Sequence, residues 1–318
     1  MSGMPIRLWM FALLLPFLGA MQTGADEPRR FKILTSIAPI YSWVVNIAGD
    51  RADVQNLLPP NVGPHDFQFR PRDLRKIREA DLIVLNGLGL EDWFTRAIAA
   101  DDTGAKRRVL ELASAIPTNE YIRELPLLSV TSDDGAGSAD DGHDHSHAGE
   151  ANPHLWLDPV YARAAVSNIL TALQRADPAN APAYATNAAA YQLRLLKLEE
   201  ELRQGIAVLP RREIVTFHDA FPYFCRRFGL RLVGVIEEVP GASPSPRYLA
   251  DLSRAIRENQ VAALFVEPNV EIKLANQLAR DLKVGVAILD TLEAARLDGA
   301  SYEVGVRSNL RALQQSLK

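Results

Sequence analysis

From residue 31 onward, short and almost uninterrupted apolar runs alternate with longer stretches in which apolar positions recur every three or four residues. The runs Phe31–Ser36, Ala52–Leu58, Asp81–Gly87 and Arg108–Leu112 predict four strands in the first half. Glu213–Phe217, Leu230–Ile236, Ala262–Val266 and Gly285–Leu289 predict four more in the second. Between them the period is helical: Pro39–Gly49 closes on a glycine stop, Pro71–Glu79 is basic and amphipathic, and Glu91–Ala100 follows. The later helices are Asp219–Gly229, Ser245–Asn259, Val270–Leu282 and Ser301–Leu317. Strands alternating with helices of this length predict βαβ units and parallel sheets.

Two segments depart from that rhythm. Ser114–Glu150 has no periodicity and is rich in Asp, Gly and Ser, the composition of a surface loop. After it, Asp158-Pro159 is an N-cap followed by proline at the first helical position, opening a helix to about Ala176. Asp177-Pro178 repeats the signal. The apolar positions Tyr184, Ala188, Tyr191, Leu195, Leu198, Leu202 and Ile206 then lie on one helical face. A helix from Pro178 to Val208 would be about 45 Å long at the standard rise, more than one crossover needs. It is long enough to lie along two lobes and join them. The expected architecture is therefore α/β, with two lobes of about four mostly parallel strands flanked by helices and one long backbone helix between them. The expected boundaries are 26–176 for the first lobe, with a His/Asp-rich loop at 130–150, then 177–209 for the linking helix and 210–318 for the second lobe.

The first 25 residues stand outside this scheme. Arg7 precedes the apolar run Leu8–Gly19, and Gln22-Thr23-Gly24-Ala25 offers small residues for cleavage after Ala25. This is the pattern of a cleaved secretory signal peptide, too short to span a bilayer. With no cysteine near the cleavage position, a lipid anchor is not expected. The remainder should be exported, most simply to a bacterial periplasm, as a monomer. Its composition, 47% hydrophobic and 23% charged, is that of an ordinary globular protein. A net charge of −4 without a polybasic run gives no reason to expect a nucleic-acid partner. The single cysteine, Cys225, excludes an intramolecular disulfide and sits in an apolar helical context.

Candidate chemistry lies with the six histidines. His143, His145, His147 and His154 crowd into Asp141–Pro159, while His65 and His218 stand alone. A short His-rich tract suggests metal binding, although a solvated loop is the plainer alternative. In open parallel sheets, ligands bind beyond the carboxyl ends of strands. His65 follows the second strand, His218 follows Glu213–Phe217, and Asp290 follows Gly285–Leu289; His154 precedes a helix. Three imidazoles and one carboxylate would complete the shell of a four-coordinate cation. Asp290 could equally cap the turn before Thr291. Asp66, Asp219, Glu237, Glu238 and Glu267 are rival carboxylates, or groups that accept the second N–H of a ligating histidine.

Several of these segments agree in order and spacing with one family. Gly63-Pro64-His65-Asp66-Phe67, Asn152-Pro153-His154-Leu155-Trp156-Leu157-Asp158-Pro159 and Phe217-His218-Asp219-Ala220-Phe221 resemble the motifs of zinc/manganese-type solute-binding proteins of ABC transporters. So do Glu237–Pro246, Phe265-Val266-Glu267-Pro268 and Ile288-Leu289-Asp290, and the resemblance runs from Phe31 to the C-terminus. It implies a metal clamped between two lobes by His65 and His154 from the first and by His218 and Asp290 from the second. It also implies Zn²⁺ as the transported ligand, no catalysis, and a metal ABC permease in the inner membrane as partner. The histidine at position 218 and the His/Asp-rich loop resemble the zinc branch, because manganese-type members tend to place a carboxylate there. His143, His145 and His147 would be weak accessory sites. After Asp290 the chain has Thr291-Leu292-Glu293 where the family usually has Pro-Leu, and Cys225 lacks the cysteine partner that zinc-type members often carry. The alternatives are transport of manganese or iron(II), or a secreted zinc hydrolase with water as fourth ligand. The chain has no H-E-x-x-H ligand pair to favour the hydrolase.

Overall fold

The computed structural model describes residues 29–65, 67–99, 108–123, 151–237, 243–268, 270 and 272–318. Residues 1–28, with the expected signal peptide, the His143/His145/His147 tract and the rival carboxylates Asp66 and Glu238 lie outside the described residues.

All eight strands form where apolar runs predict them: β1 (Phe31–Thr35), β2 (Ala52–Asn56), β3 (Leu82–Leu85), β4 (Arg108–Glu111), β5 (Glu213–Thr216), β6 (Arg231–Val235), β7 (Ala263–Val266) and β8 (Gly285–Ile288). They make two four-stranded sheets, of order β2-β1-β3-β4 and β6-β5-β7-β8, and every pairing is parallel. Central strands β3 and β7 are buried at every residue, whereas edge strands β4 and β8 are mostly exposed. That difference explains why LIVL and ALFV are unbroken apolar runs: both faces are covered by helices, as parallel sheets require. The two lobes share one strand order without a sequence repeat. In each, the chain steps outward to one side of the first strand and then crosses to its other side, leaving a crevice at the carboxyl ends.

Helices α1 (Ala38–Ala48), α2 (Pro71–Glu79) and α3 (Asp92–Ala99) belong to the first lobe, and α6 (Pro222–Phe228), α7 (Pro246–Glu258), α8 (Lys273–Leu282) and α9 (Ser301–Ser316) follow β5. Between the lobes run α4 (Pro159–Ala176) and α5 (Ala181–Ala207). Asp158 caps α4 by accepting from the Val160 N–H at 2.9 Å. The turn at Pro178–Asn180 is 3-10, so α5 begins three residues later than Pro178 and, with 27 residues, extends about 40 Å.

The seven apolar positions of the α5 stripe are its buried residues, and they merge with the core of the first lobe and part of the second. The helix is tied to both sides. Asn187 Nδ2 donates to Ile47 O at 3.1 Å on α1, while Arg194 meets Glu303 at 3.1 Å and Arg307 meets Glu201 at 2.7 Å on α9. Gly205 gives α9 room to lie close to α5, since a Cβ there would lie 2.9 Å from Gln314 Nε2 and 3.0 Å from Leu310. No helix among the described residues is long and apolar enough to cross a membrane.

Leu198, fully buried on α5, tests this role of the helix as shared core. Leu198→Ala is expected to cost about 2–5 kcal/mol in urea unfolding. A loss below about 1 kcal/mol, the scale of a surface change, would contradict it.

Candidate metal centre

The carboxyl ends of both sheets face one another across the junction, and the loops leaving them carry the histidines. His65 comes from the loop after β2 and His154 from the residue before a 3-10 turn at Leu155–Leu157. His218 sits two residues beyond β5, where its carbonyl accepts from Thr216 Oγ1 at 2.7 Å. The three rings converge, with centroid separations of 5.0 Å for His154–His218, 5.7 Å for His65–His154 and 5.8 Å for His65–His218.

The carboxylate that joins them is Glu293. One ligand atom from each of His65, His154, His218 and Glu293 lies within 4.8 Å of all the others. Asp290 is not in this group. Its Oδ1 accepts from the Leu292 N–H at 2.8 Å, while Asn309 of α9 grips its backbone on both sides, at 2.8 and 2.7 Å. Asp290 therefore stabilises the turn, the alternative that its position before Thr291 left open. The turn needs the help: Leu292 adopts φ 64, a left-handed conformation that disfavours a branched side chain. Leu292 is nevertheless buried, against Gly305, where a Cβ would come within 2.3 Å of Leu292 Cδ2. The left-handed residue turns the chain so that Glu293, not Asp290, faces the histidines.

Two of the histidines are held by a further group. Nδ1 of His218 is hydrogen-bonded to Glu267, the residue after β7, and Nδ1 of His154 lies 3.0 Å from Asn152 Oδ1. Nε2 is the atom each ring turns to its neighbours: His218 Nε2 is 3.1 Å from His154 Nε2, which is 3.5 Å from Glu293 Oε1. Ligands around a tetrahedral zinc, each about 2.0–2.1 Å from the ion, stand about 3.3 Å apart. The two spacings bracket that value, so these two pairs fit such an ion with small adjustments.

Electrostatics sharpen the picture. Burial, reinforced by the neighbouring His218, pushes the His154 pKa down to about 3. Burial alone would also lower His218, but the hydrogen bond and charge of Glu267, aided by Glu293 and Asp219, overcome it and hold the pKa up at about 9. Crowding desolvates the inward-facing edge of His65 and lowers its pKa against the pull of Glu293. His65 is the one exposed member of the four, so the cluster opens to solvent on its side.

A family model described as zinc-uptake complex component A, periplasmic, matches residues 33–316. The chain belongs to this family. It is 29% identical over 318 residues to the zinc-binding lipoprotein AdcA of Streptococcus pneumoniae, covering 98% of this chain and 60% of AdcA. The chain thus spans only 60% of that relative's length. It is 30% identical to the high-affinity zinc uptake system protein ZnuA of Bacillus subtilis, covering 91% of this chain and 88% of ZnuA. Against the iron-binding protein YfeA of Yersinia pestis it is 31% identical, with 87% and 83% covered. Among solved structures, the Zn(II)-bound ZnuA-like domain of S. pneumoniae AdcA superposes with a TM-score of 0.70 at 27% identity, over 91% of this chain and 99% of that domain.

The resemblance seen in the motifs thus holds at the level of family and fold. Sequence reasoning did not single out Glu293, the carboxylate that the fold groups with the three histidines. The signal available was the departure at Thr291-Leu292-Glu293, a second carboxylate just beyond the expected one.

Asp290→Ala removes the acceptor of the turn, and Asp290→Asn preserves it. Asp290→Ala is expected to lower stability by about 1 kcal/mol in chemical denaturation, with Asp290→Asn close to the parent. Equal destabilisation by both would show that charge, not the turn, is what Asp290 supplies.

Proposed function

We propose that this protein is an extracytoplasmic zinc-binding protein that takes up Zn²⁺ between its two lobes and delivers it to a metal ABC permease. The observation that carries the proposal is the convergence of three imidazoles and one carboxylate at the junction of the lobes, at spacings suited to one tetrahedral ion. His65, His154, His218 and Glu293 are the ligands, with Zn²⁺ as cargo. A shell of three nitrogens and one oxygen suits zinc better than manganese, which prefers oxygen. Four converging protein ligands also leave no place for the water that a zinc hydrolase needs as its fourth ligand.

Iron(II) is the second reading. Imidazole accepts it too, and a relative 31% identical to this chain is an iron-binding protein. The proposal further holds that residues 1–25 are a cleaved leader and that the exported protein is a monomer without a lipid anchor. The domain limits 26–176, 177–209 and 210–318 are retained, with His143, His145 and His147 as weak accessory metal ligands.

Competitive titration of the chelator-treated protein tests the choice of ligands and of ion together. Glu293→Ala and His218→Ala are each expected to weaken zinc binding by at least about tenfold, and Asp290→Asn to leave it nearly unchanged. Tight binding retained in Glu293→Ala but lost in Asp290→Asn would reverse the assignment of the carboxylate. Iron(II) or manganese outcompeting zinc would change the cargo.

Zinc binding only the folded state should also raise the melting temperature of metal-free protein progressively with concentration. Free zinc at about 100 times Kd would add about 2.7 kcal/mol of stability. A melting temperature that does not move with added zinc would contradict specific binding.

A further inference from the structure

Beyond the four ligand side chains, one polar residue connects the two halves of the site. Asn152 is buried at the end of the described segment that leads into His154. Its amide orientation follows from two backbone groups of known polarity. The His154 N–H can only donate, and it lies 3.0 Å from one amide atom, which must be Oδ1. The Asp219 carbonyl can only accept, and it lies 2.8 Å from the other, which must be Nδ2. Nδ2 also donates to Asp219 Oδ2 at 3.0 Å.

A consequence follows for the ring. Oδ1 carries no hydrogen, so the His154 Nδ1 that lies 3.0 Å from it must be the protonated nitrogen. The lone pair of His154 is then on Nε2, facing His218 and Glu293. The same amide that fixes the tautomer is anchored to Asp219, which adjoins His218 in the second lobe. The main chain of Asn152 is held separately: its N–H donates to Ile122 O at 2.7 Å and its carbonyl accepts from Tyr223 OH at 2.8 Å.

We propose that Asn152 is a positioning residue for the metal site, its amide aiming His154 Nε2 at the ion while Asp219 of the other lobe holds that amide in place. The inference rests on the reading of the cluster as the zinc site. Asp219 acts through Asn152 by two hydrogen bonds, one to its carbonyl and one to its Oδ2. The orientation of a first-lobe ligand therefore depends on contact with the second lobe, and parting of the lobes loosens His154 as it withdraws His218.

The test is a double-mutant cycle on the whole protein, read by zinc competition and by the visible absorption of bound Co²⁺. Asn152→Ala leaves the main-chain bonds of residue 152 in place. It is expected to weaken zinc about 10–100-fold, as loss of a group that orients a metal-bound histidine does. The Co²⁺ bands should change with it, because the ligand field changes when a ring is misaimed. Asp219→Ala, which removes the side-chain acceptor but keeps the carbonyl that also accepts from Nδ2, should weaken zinc by less than Asn152→Ala and add nothing in the Asn152→Ala background, and Asp219→Asn, which restores a side-chain acceptor, should restore affinity. Unchanged zinc affinity in Asn152→Ala overturns the proposal. So do additive effects of Asn152→Ala and Asp219→Ala, or an Asp219→Asn variant as weak as Asp219→Ala. His154→Ala separates the two levels: if it also binds zinc normally, the site reading fails, whereas if it alone loses zinc, only the role of Asn152 does.

Discussion

Four donors converging at one point, three of them buried and His65 exposed, are the constraint around which this molecule is built. His154 and His218 present Nε2 atoms 3.1 Å apart, and Glu293 closes on the first of them at 3.5 Å. Such a group is unfavourable unless something positive lies among its members, because burial removes the water that would otherwise satisfy them. A cation placed among them would supply that charge. The opposed pKa displacements of the two histidines are the electrostatic trace of that arrangement.

Holding the donors there requires contributions from much of the chain. The site lies beyond the carboxyl ends of two sheets with the same strand order, and α5 packs against both lobes. The segment that carries Glu293 leaves the second sheet but bonds to the first lobe. Trp156 Nε1 donates to Thr291 O at 2.7 Å, the Asn61 N–H to Ala294 O at 3.2 Å, and Ser42 Oγ to Gly299 O at 3.1 Å. Mechanically, then, Glu293 goes with His65 and His154. His218, backed by Glu267, is the ligand that the second lobe supplies. A small displacement between lobes would pull one ligand from three, enough to weaken a four-coordinate site without a wide opening.

The fold was largely legible in the chain because its signals are local. Unbroken apolar runs such as LIVL and ALFV mark strands covered on both faces, and the stripe from Tyr184 to Ile206 marks the one helix long enough to unite the lobes. The three histidines were legible for a related reason: topology alone places strand ends at a crevice. Glu293 was not. Its selection depends on a left-handed Leu292, on Asp290 spending its carboxylate on the turn, and on Gly305 leaving room for the leucine. None of these is visible in spacing, and Gly305 and Asn309 of α9 meet the turn only in the folded state. The amide of Asn152 was hidden in the same way, its partner being 67 residues distant in the other lobe.

X-ray absorption at the zinc edge, on the zinc-loaded protein, addresses the central claim most directly. The expected result is a four-coordinate ion with three imidazole nitrogens at about 2.0–2.1 Å and one carboxylate oxygen at about 2.0–2.2 Å. The imidazole contribution should fall from three rings to two in His218→Ala, and the oxygen contribution should survive in Asp290→Asn. A shell with fewer than three imidazoles, or one completed by water in the parent protein, would contradict it.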